Sequence, residues 1–168
     1  DPNYNFLGNS ITYSLSSERN DKPDLGFENS IVSTGIGTSF EQYKDVKVRL
    51  GLQASYDDLQ TEDSASAALK KQNGTYSELL GSYGFTFDQR DKAFMPTSGS
   101  IFSFSQSLPL AADKSFITNT LSSSFYKSLS ENVIGSAKIY LASIDGLGGD
   151  DVRISKRRGI SSSRLRGF

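Results

Sequence analysis

Apolar and polar residues alternate with a period of two along most of this chain. The clearest stretch covers residues 46–56, where every second residue is apolar and the residues between them are Lys47, Arg49, Gly51, Gln53 and Ser55. Successive side chains on a β-strand point to opposite faces, so this stretch predicts a strand with one apolar and one polar face. The same reasoning predicts seven strands, at residues 10–16, 31–40, 46–56, 79–88, 100–110, 116–127 and 133–143.

The connections between these segments differ in predicted length. Those at 41–45, 96–99 and 128–132 are short, and Pro96 and Gly99 supply the backbone angles of a turn. Those at 18–28 and 57–75 are long and polar, and they alternate with the short ones. Helical periodicity occurs only at 64–71, which predicts no more than a surface turn of helix.

Two architectures fit seven alternating strands. A β-sandwich buries its apolar faces between two sheets, whereas a transmembrane barrel turns them to lipid and keeps a polar lumen. The polar face is rich in Ser, Thr, Gly and Lys, and the segments approach the ~9–11 residues that a tilted membrane strand needs. Short turns at one end and long loops at the other also favour the barrel. We therefore predict an all-β, antiparallel transmembrane β-barrel fragment, in which about seven strands form an open curved sheet.

A barrel also predicts which side chains share a face. On the convex, lipid-facing side we expect Ile11, Tyr13, Leu15, Val48, Leu50, Leu52, Tyr83, Phe85 and Phe87. On the concave side we expect Lys47, Arg49, Gln53 and Thr86. An interfacial aromatic girdle is expected from Phe85, Phe87, Phe94, Phe102 and Phe104.

Composition narrows the possible functions. The chain has no Cys and no His, which leaves no disulfide or thiolate site and removes the commonest general base and zinc ligand. We therefore expect no enzymatic activity, no catalytic or metal-ligating residues and no cofactor. The 18 basic and 19 acidic residues nearly balance, which argues against a nucleic-acid partner. No apolar run is long enough for a transmembrane helix, and without an initial Met we expect no signal peptide.

Two motifs are more specific than the alternation. One is Asp-Gln-Arg-Asp-Lys-Ala-Phe-Met-Pro-Thr-Ser-Gly at 88–99, and the other is Leu-Arg-Gly-Phe at 165–168. Together they resemble the Omp85 superfamily, and within it the BamA-type branch of outer-membrane assembly factors. The resemblance implies that a periplasmic turn contains Asp88, Arg90, Asp91, Pro96, Thr97 and Gly99. It also implies that Leu165, Arg166, Gly167 and Phe168 form the tip of the sixth extracellular loop, which folds back into the lumen.

The resemblance covers residues 1–168 and implies a partial barrel domain, from about the fifth to the eleventh of sixteen strands. The opening Asp1-Pro2-Asn3-Tyr4 is similar to the family's Asn/Asp-Pro-Tyr-Phe strand end, from which it departs at Asn3. We therefore expect a fragment that begins and ends inside family motifs.

The function implied is that of part of an insertase in the bacterial outer membrane, which folds and inserts other outer-membrane proteins. Its expected partners are outer-membrane lipid, unfolded outer-membrane protein clients and accessory assembly lipoproteins. A TamA-like factor, a two-partner-secretion transporter and an unrelated porin-type barrel remain as alternatives.

The resemblance implies a role for Arg166, and charge patterning gives the expectation for the basic residues before it. Arg166 is expected to present its guanidinium to a carboxylate or polar group inside the lumen, on a strand that follows Phe168. The preceding basic run comprises Arg153, Lys156, Arg157, Arg158 and Arg164, and it is expected to form a solvated loop face.

Overall fold

Seven β-strands make up nearly all of the structure, a computed structural model that describes residues 9–157. The strands are β1 (Ser10–Lys22), β2 (Phe27–Tyr43), β3 (Val46–Thr61), β4 (Gly74–Asp88), β5 (Gly99–Ala112), β6 (Phe116–Ser130) and β7 (Val133–Gly146). A short helix α1 (Ala67–Lys70) lies between β3 and β4, and 3-10 turns cover Pro23–Leu25 and Ile154–Lys156. The helix is the surface turn expected at 64–71. No helix within residues 9–157 has the length and apolarity to cross a membrane.

The strands form one sheet in chain order, and each is antiparallel to its neighbours. The sheet curls into a half-barrel, with β1 and β7 as its edges among the described residues. Residues 44–45 and 131–132 are the tight hairpin turns, and Asp45 takes the left-handed conformation (φ 65°) that such turns need. This confirms the predicted all-β fold class.

Strand register settles which side chains share a face. Val48 is paired with Phe85, and Leu50 is paired with both Thr38 and Tyr83, so these residues lie on one face. Large apolar side chains remain uncovered there, with Leu15 82% exposed. The expected apolar set is confirmed on this convex face.

The concave face is polar, as expected for Lys47, Arg49, Gln53 and Thr86. The Arg49 Nη2 atom donates to Thr86 Oγ1 at 2.8 Å, and Gln53 Nε2 donates to Ser33 Oγ at 3.2 Å. Curvature crowds this side of the sheet. A Cβ atom on Gly51 would lie 2.7 Å from Ser82 Oγ, and one on Gly84 would lie 2.9 Å from the Phe104 carbonyl oxygen. Small residues on the concave wall therefore permit the bend.

The strands extend further than the alternation predicted, which is a correction to both long connections. Strand β3 continues to Thr61, and β4 begins at Gly74 rather than Leu79. Beyond Tyr56 apolar residues no longer keep to the convex face: Leu59 lies on the concave side together with Asp57, and the two are 0% and 1% exposed. In a membrane barrel, outward-facing residues need to be apolar only where a strand crosses lipid hydrocarbon. The alternation therefore could not reveal the ends of strands that continue beyond that depth.

The expected contrast between short turns and long loops is therefore wrong in part. We call the side with connections 23–26, 62–73, 113–115 and 147–157 the loop end, and the side with 44–45, 89–98 and 131–132 the turn end. Only 62–73 is a long connection between described strands at the loop end, and the turn end contains the extended segment 89–98. Much of the expected loop sequence lies in strands that project beyond the apolar band.

Candidate functional site

The turn motif begins with an ion pair at the turn end of β4. The Arg90 Nε and Nη2 atoms donate to the two carboxylate oxygens of Asp88 at 2.8 and 2.7 Å. Arg90 Nη1 also donates to the carbonyl of Ala93 at 3.2 Å. This two-pronged contact fixes the guanidinium plane and ties the strand end to the following residues.

The second half of the motif is held by Asp91. Its carboxylate accepts from Thr97 Oγ1 at 2.6 Å, from the Thr97 amide at 2.9 Å and from the Ser98 amide at 3.1 Å. The Thr97 hydroxyl, followed by the Ser98 and Thr97 amides, lowers the pKa of Asp91 to about 2. Charged acceptors with several donors favour the ionised form, so Asp91 is anionic at neutral pH.

Gly99 closes the segment at a position that no other residue fits. Its φ is 94°, and a Cβ atom there would lie 2.1 Å from the carbonyl oxygen of Gln89. Glycine is the residue that adopts such a conformation without a steric penalty. Pro96 lies just before the Thr97 contacts, so the structure brings all six predicted turn residues into one connected segment.

Four of the five predicted girdle residues lie together on the convex face near the turn end. The Phe85 ring centroid is 5.9 Å from that of Phe102 and 5.6 Å from that of Phe104, and Phe87 is paired with Phe102. Phe94 lies apart from this cluster, in the 89–98 connection, and is 81% exposed. The strand pairs position a compact aromatic patch, to which Phe94 does not belong.

The sixth-loop motif cannot be placed in the same way. Leu165, Arg166, Gly167 and Phe168 lie outside the described residues, as do Asp1, Pro2, Asn3 and Tyr4. The expected luminal role of Arg166 therefore stays a prediction. The structure does describe the segment that leads toward this motif, residues 147–157.

Arg153 in that segment is buried against the concave wall at the loop end. Its Nη1 atom lies 3.1 Å from Asp57 Oδ2, and the side chains are 5% and 2% exposed. Its Cζ atom lies 3.4 Å above the centroid of the Tyr76 ring, within the range of a cation–π contact. Burial lowers the pKa of the guanidinium and Asp57 opposes that shift, so Arg153 keeps its charge at neutral pH.

The neighbours of Arg153 add further contacts to the same wall. Ser155 Oγ donates to Asp57 Oδ2 at 2.6 Å, and Lys156 forms an ion pair with Glu78. The Ile154 amide donates to Gln72 Oε1 at 2.8 Å, which joins the segment to the 62–73 connection. We call Asp57, Tyr76, Glu78, Arg153, Ser155 and Lys156 the Arg153 cluster.

A second contact lies closer to β7. Lys114 Nζ donates to Asp150 Oδ1 at 2.8 Å, and the Ser115 amide donates to Asp150 Oδ2 at 3.0 Å. These two donors lower the pKa of Asp150, and the carboxylate raises the pKa of Lys114. Segment 147–157 is thereby attached to the 113–115 connection as well as to β3 and β4.

The interpretation of the basic run as a solvated loop face is wrong for two of its members. Arg153 is 4% exposed, and the Lys156 side chain is 19% exposed and ion-paired. Arg157 fits the expectation, because its side chain is exposed and donates to the neighbouring Val152 carbonyl. A sequence signal for the cluster existed: Asp57 and Glu78 both occupy polar-face positions once β3 and β4 are extended.

These contacts hold the strands and their connections in place. Within residues 9–157, no group of three or more acidic side chains is placed to hold a metal ion. The ion pairs of Asp150, Arg153 and Lys156 join segment 147–157 to other elements, and the Arg90–Asp88 pair joins the 89–98 connection to the end of β4.

Comparison with known proteins identifies the family. The Omp85 superfamily domain matches residues 1–168. No curated protein matches the sequence. Among solved structures, the crystal structure of BamA from Haemophilus ducreyi lacking POTRA domains 1–3 is similar, with a TM-score of 0.77 and 18% identity. The match covers 93% of this chain and 34% of that chain, so the chain spans about a third of the length of its structural relative. The chain belongs to the Omp85 superfamily.

Proposed function

We propose that this chain forms part of the wall of a bacterial outer-membrane barrel that folds and inserts other outer-membrane proteins. The observation that carries the proposal is the half-barrel itself, with an uncovered apolar convex face and a polar concave wall to which segment 147–157 is docked. Membership of the Omp85 superfamily supports the outer-membrane location.

Within such a barrel, the chain would supply about the fifth to the eleventh of sixteen strands and the sixth extracellular loop. The turn end would then face the periplasm, with the motif from Asp88 to Gly99 at the rim. The loop end would face outward, and segment 147–157 would be the stem of the loop that presents Arg166 to the lumen. The strong structural likeness to a BamA chain over 93% of this chain supports that placement.

The partners follow from the two faces. The convex face would contact the acyl chains of outer-membrane lipid, since its apolar residues have no protein cover. Unfolded outer-membrane proteins would be the clients, and accessory assembly lipoproteins would bind elsewhere on the same barrel. The BamA-type role is the one proposed, and a TamA-type role is the alternative within the same superfamily.

A polypeptide transporter is the second candidate, and the polar concave wall is the observation that favours it. Lys47 and Arg49 line that wall beside Gly51 and Ser82, which would suit the passage of an extended chain. In an insertase the same wall would instead receive the sixth loop.

The test is client insertion by the full-length protein that contains this chain. Liposomes carrying the purified protein should insert an unfolded barrel client faster than liposomes carrying an unrelated porin at equal density. They should not move a soluble polypeptide into the vesicle interior. Equal insertion in the two preparations would contradict the insertase, and transport without insertion would establish the second candidate.

A further inference from the structure

Segment 147–157 is attached to the concave wall at several points that lie before the sixth-loop motif in the chain. Asp150 is held by Lys114 and Ser115, and Arg153 and Ser155 are held by Asp57. All of these partners belong to β3 or to connections among the described strands. The attachment therefore needs no strand that follows Phe168.

The Arg153–Asp57 contact differs from an ordinary surface salt bridge. Both side chains are at least nine-tenths buried, so each charge has lost most of its hydration. Such a pair adds little net stability compared with apolar residues, but breaking it leaves a charge buried without compensation. Its effect is to favour one docked arrangement over others, since Arg153 Nη1 and Asp57 Oδ2 meet only there. Within residues 9–157, Asp57 Oδ1, Arg153 Nε and Arg153 Nη2 have no hydrogen-bond partner in that arrangement.

The Tyr76 ring further restricts the position and orientation of the Arg153 guanidinium. The guanidinium carbon lies 3.4 Å from the ring centroid while Nη1 is directed to Asp57, so the planar group is fixed by a face contact and an edge contact at once. A lysine ammonium cannot make both contacts in this geometry, because it is a point charge without a plane. The site is therefore better matched to arginine than to lysine.

We infer that Arg153 is a positioning residue that anchors the stem of the sixth loop to β3 and β4 and fixes the point from which the chain continues toward the Leu-Arg-Gly-Phe motif. The stretch from Arg157 to Arg166 can span at most about 30 Å when fully extended. Fixing its start restricts the part of the lumen that Arg166 can reach. The inference rests on the proposed function only in assigning segment 147–157 to the loop stem.

The first measurement is trypsin cleavage of the full-length protein in detergent micelles. Cleavage after Arg164 reports undocking of the loop, and cleavage after the exposed Lys92 at the opposite end serves as an internal reference. Arg153→Ala should raise the ratio of the two rates by about 100-fold, because Asp57 is left buried and unpaired. Arg153→Lys should fall between that variant and the wild type. Arg157→Gln is the matched control and should leave the ratio unchanged, since the Arg157 side chain is exposed.

A second pair of variants tests the geometry without removing a charge. Tyr76→Phe keeps the ring face and should leave the cleavage ratio unchanged, whereas Tyr76→Leu should raise it. An unchanged ratio in both Arg153→Ala and Tyr76→Leu would overturn the anchor. An increase in Tyr76→Phe equal to that in Tyr76→Leu would overturn the role of the ring.

Client insertion by the same variants separates positioning from general destabilisation. Arg153→Ala should insert clients about tenfold more slowly than the wild type, with partial recovery in Arg153→Lys, while the thermal unfolding midpoint of the barrel stays unchanged. If the thermal unfolding midpoint of Arg153→Ala fell far enough to explain the slower insertion, Arg153 would be a structural residue and not a positioning residue. Because proteolysis is independent of insertion, a wild type that inserts no client would contradict the proposed function and leave the anchor established.

Discussion

Leu52 and Gln53 are adjacent in β3 but face opposite sides of the sheet, so placing a charge at each position tests the assignment of the faces. Leu52 is paired with Ile36 and Gly81 on the convex face and is 49% exposed. Gln53 is exposed on the concave wall and bonds to Ser33. Arginine at either position should be sterically acceptable, so the two variants differ mainly in the solvent that receives the charge.

The depth of Leu52 sets the size of the effect. The apolar run at 46–56 covers about 26 Å of the membrane normal, at a rise of ~3.4 Å per residue and a tilt of ~40°. Leu52 is six residues from the turn-end side of that run, close to the bilayer midplane. An arginine there costs about 2–4 kcal/mol, which is roughly 30- to 900-fold in the folding equilibrium. Gln53→Arg should cost about 1 kcal/mol or less, because the lumen is hydrated.

The assay is a urea titration of the full-length barrel in lipid vesicles, with the folded fraction measured from far-ultraviolet circular dichroism. The Leu52→Arg curve should shift strongly to lower urea, and the Gln53→Arg curve should almost overlap that of the wild type. If Gln53→Arg destabilised the barrel as much as Leu52→Arg, the two faces would not meet different solvents, and the barrel reasoning would fail.

Three further changes test individual residues. In urea titrations, Gly99→Ala should destabilise the barrel by about 1–3 kcal/mol more than the control Gly149→Ala. Both glycines have positive φ, but only a Cβ atom on Gly99 would meet a carbonyl oxygen, that of Gln89. Equal losses of stability would show that the Gln89 contact is not the cause. The folded pKa of Asp91, about 2, lies below its unfolded value near ~3.9, so its contribution is present above pH 4 and lost as the pH falls to 2. The unfolding midpoints of wild type and Asp91→Asn should therefore converge on acidification, and a pH-independent difference would refute the assignment. Arg166→Ala should slow client insertion by the full-length protein, since a charge-assisted contact is worth about 1.5–3 kcal/mol. Arg166→Lys should restore the insertion rate only in part. Equal insertion rates for the wild type and both variants would contradict the predicted role of Arg166.

The sequence predicted the half-barrel well because lipid and water impose a strict pattern on residues 46–56 and their counterparts. A strand that crosses hydrocarbon must place an apolar residue at every second position, and a shift of one residue would reverse the faces. Val48, Leu50 and Leu52 could therefore be assigned to the convex face without coordinates. Phe85, Phe87, Phe102 and Phe104 were predicted as part of an aromatic girdle, and the structure places these four on one face.

Beyond the apolar band, the same pattern failed for a physical reason. Asp57 lies on the concave wall beneath segment 147–157, where a buried side chain is either apolar or paired. Leu59, on the same face, is also buried. The environment of Asp57 depends on segment 147–157, and the Ser155–Asp57 bond joins residues 98 positions apart. No local pattern in the sequence reports such a contact, so Arg153 was interpreted as a solvated charge.

The alternation of apolar and polar residues also did not reveal the irregularities in strand pairing. Pro109 lies within β5 beside the register shift between Leu79 and Leu80, and pairing of β5 with β6 extends only as far as Ser107 and Thr118. Proline cannot donate to a neighbouring strand and is tolerated at such irregular positions. Periodicity reports the faces of a strand, but it does not report where pairing with a neighbour stops.

The most direct test of the account is the periodicity of solvent access along β3 in the intact barrel. Residues 1–168 contain no cysteine. With any other cysteines of the full-length protein replaced, single cysteines at successive positions from 47 to 54 can carry spin labels without a native background. In lipid vesicles, oxygen dissolved in the bilayer should increase the spin relaxation rate of labels at the even positions. A water-soluble nickel complex should increase the relaxation rate of labels at the odd positions. The predicted result is that access to oxygen and access to the nickel complex alternate with a period of two, with oxygen favoured at the even positions. Oxygen access favoured at the odd positions, or equal access at all positions, would contradict a lipid-facing convex side and a hydrated concave wall.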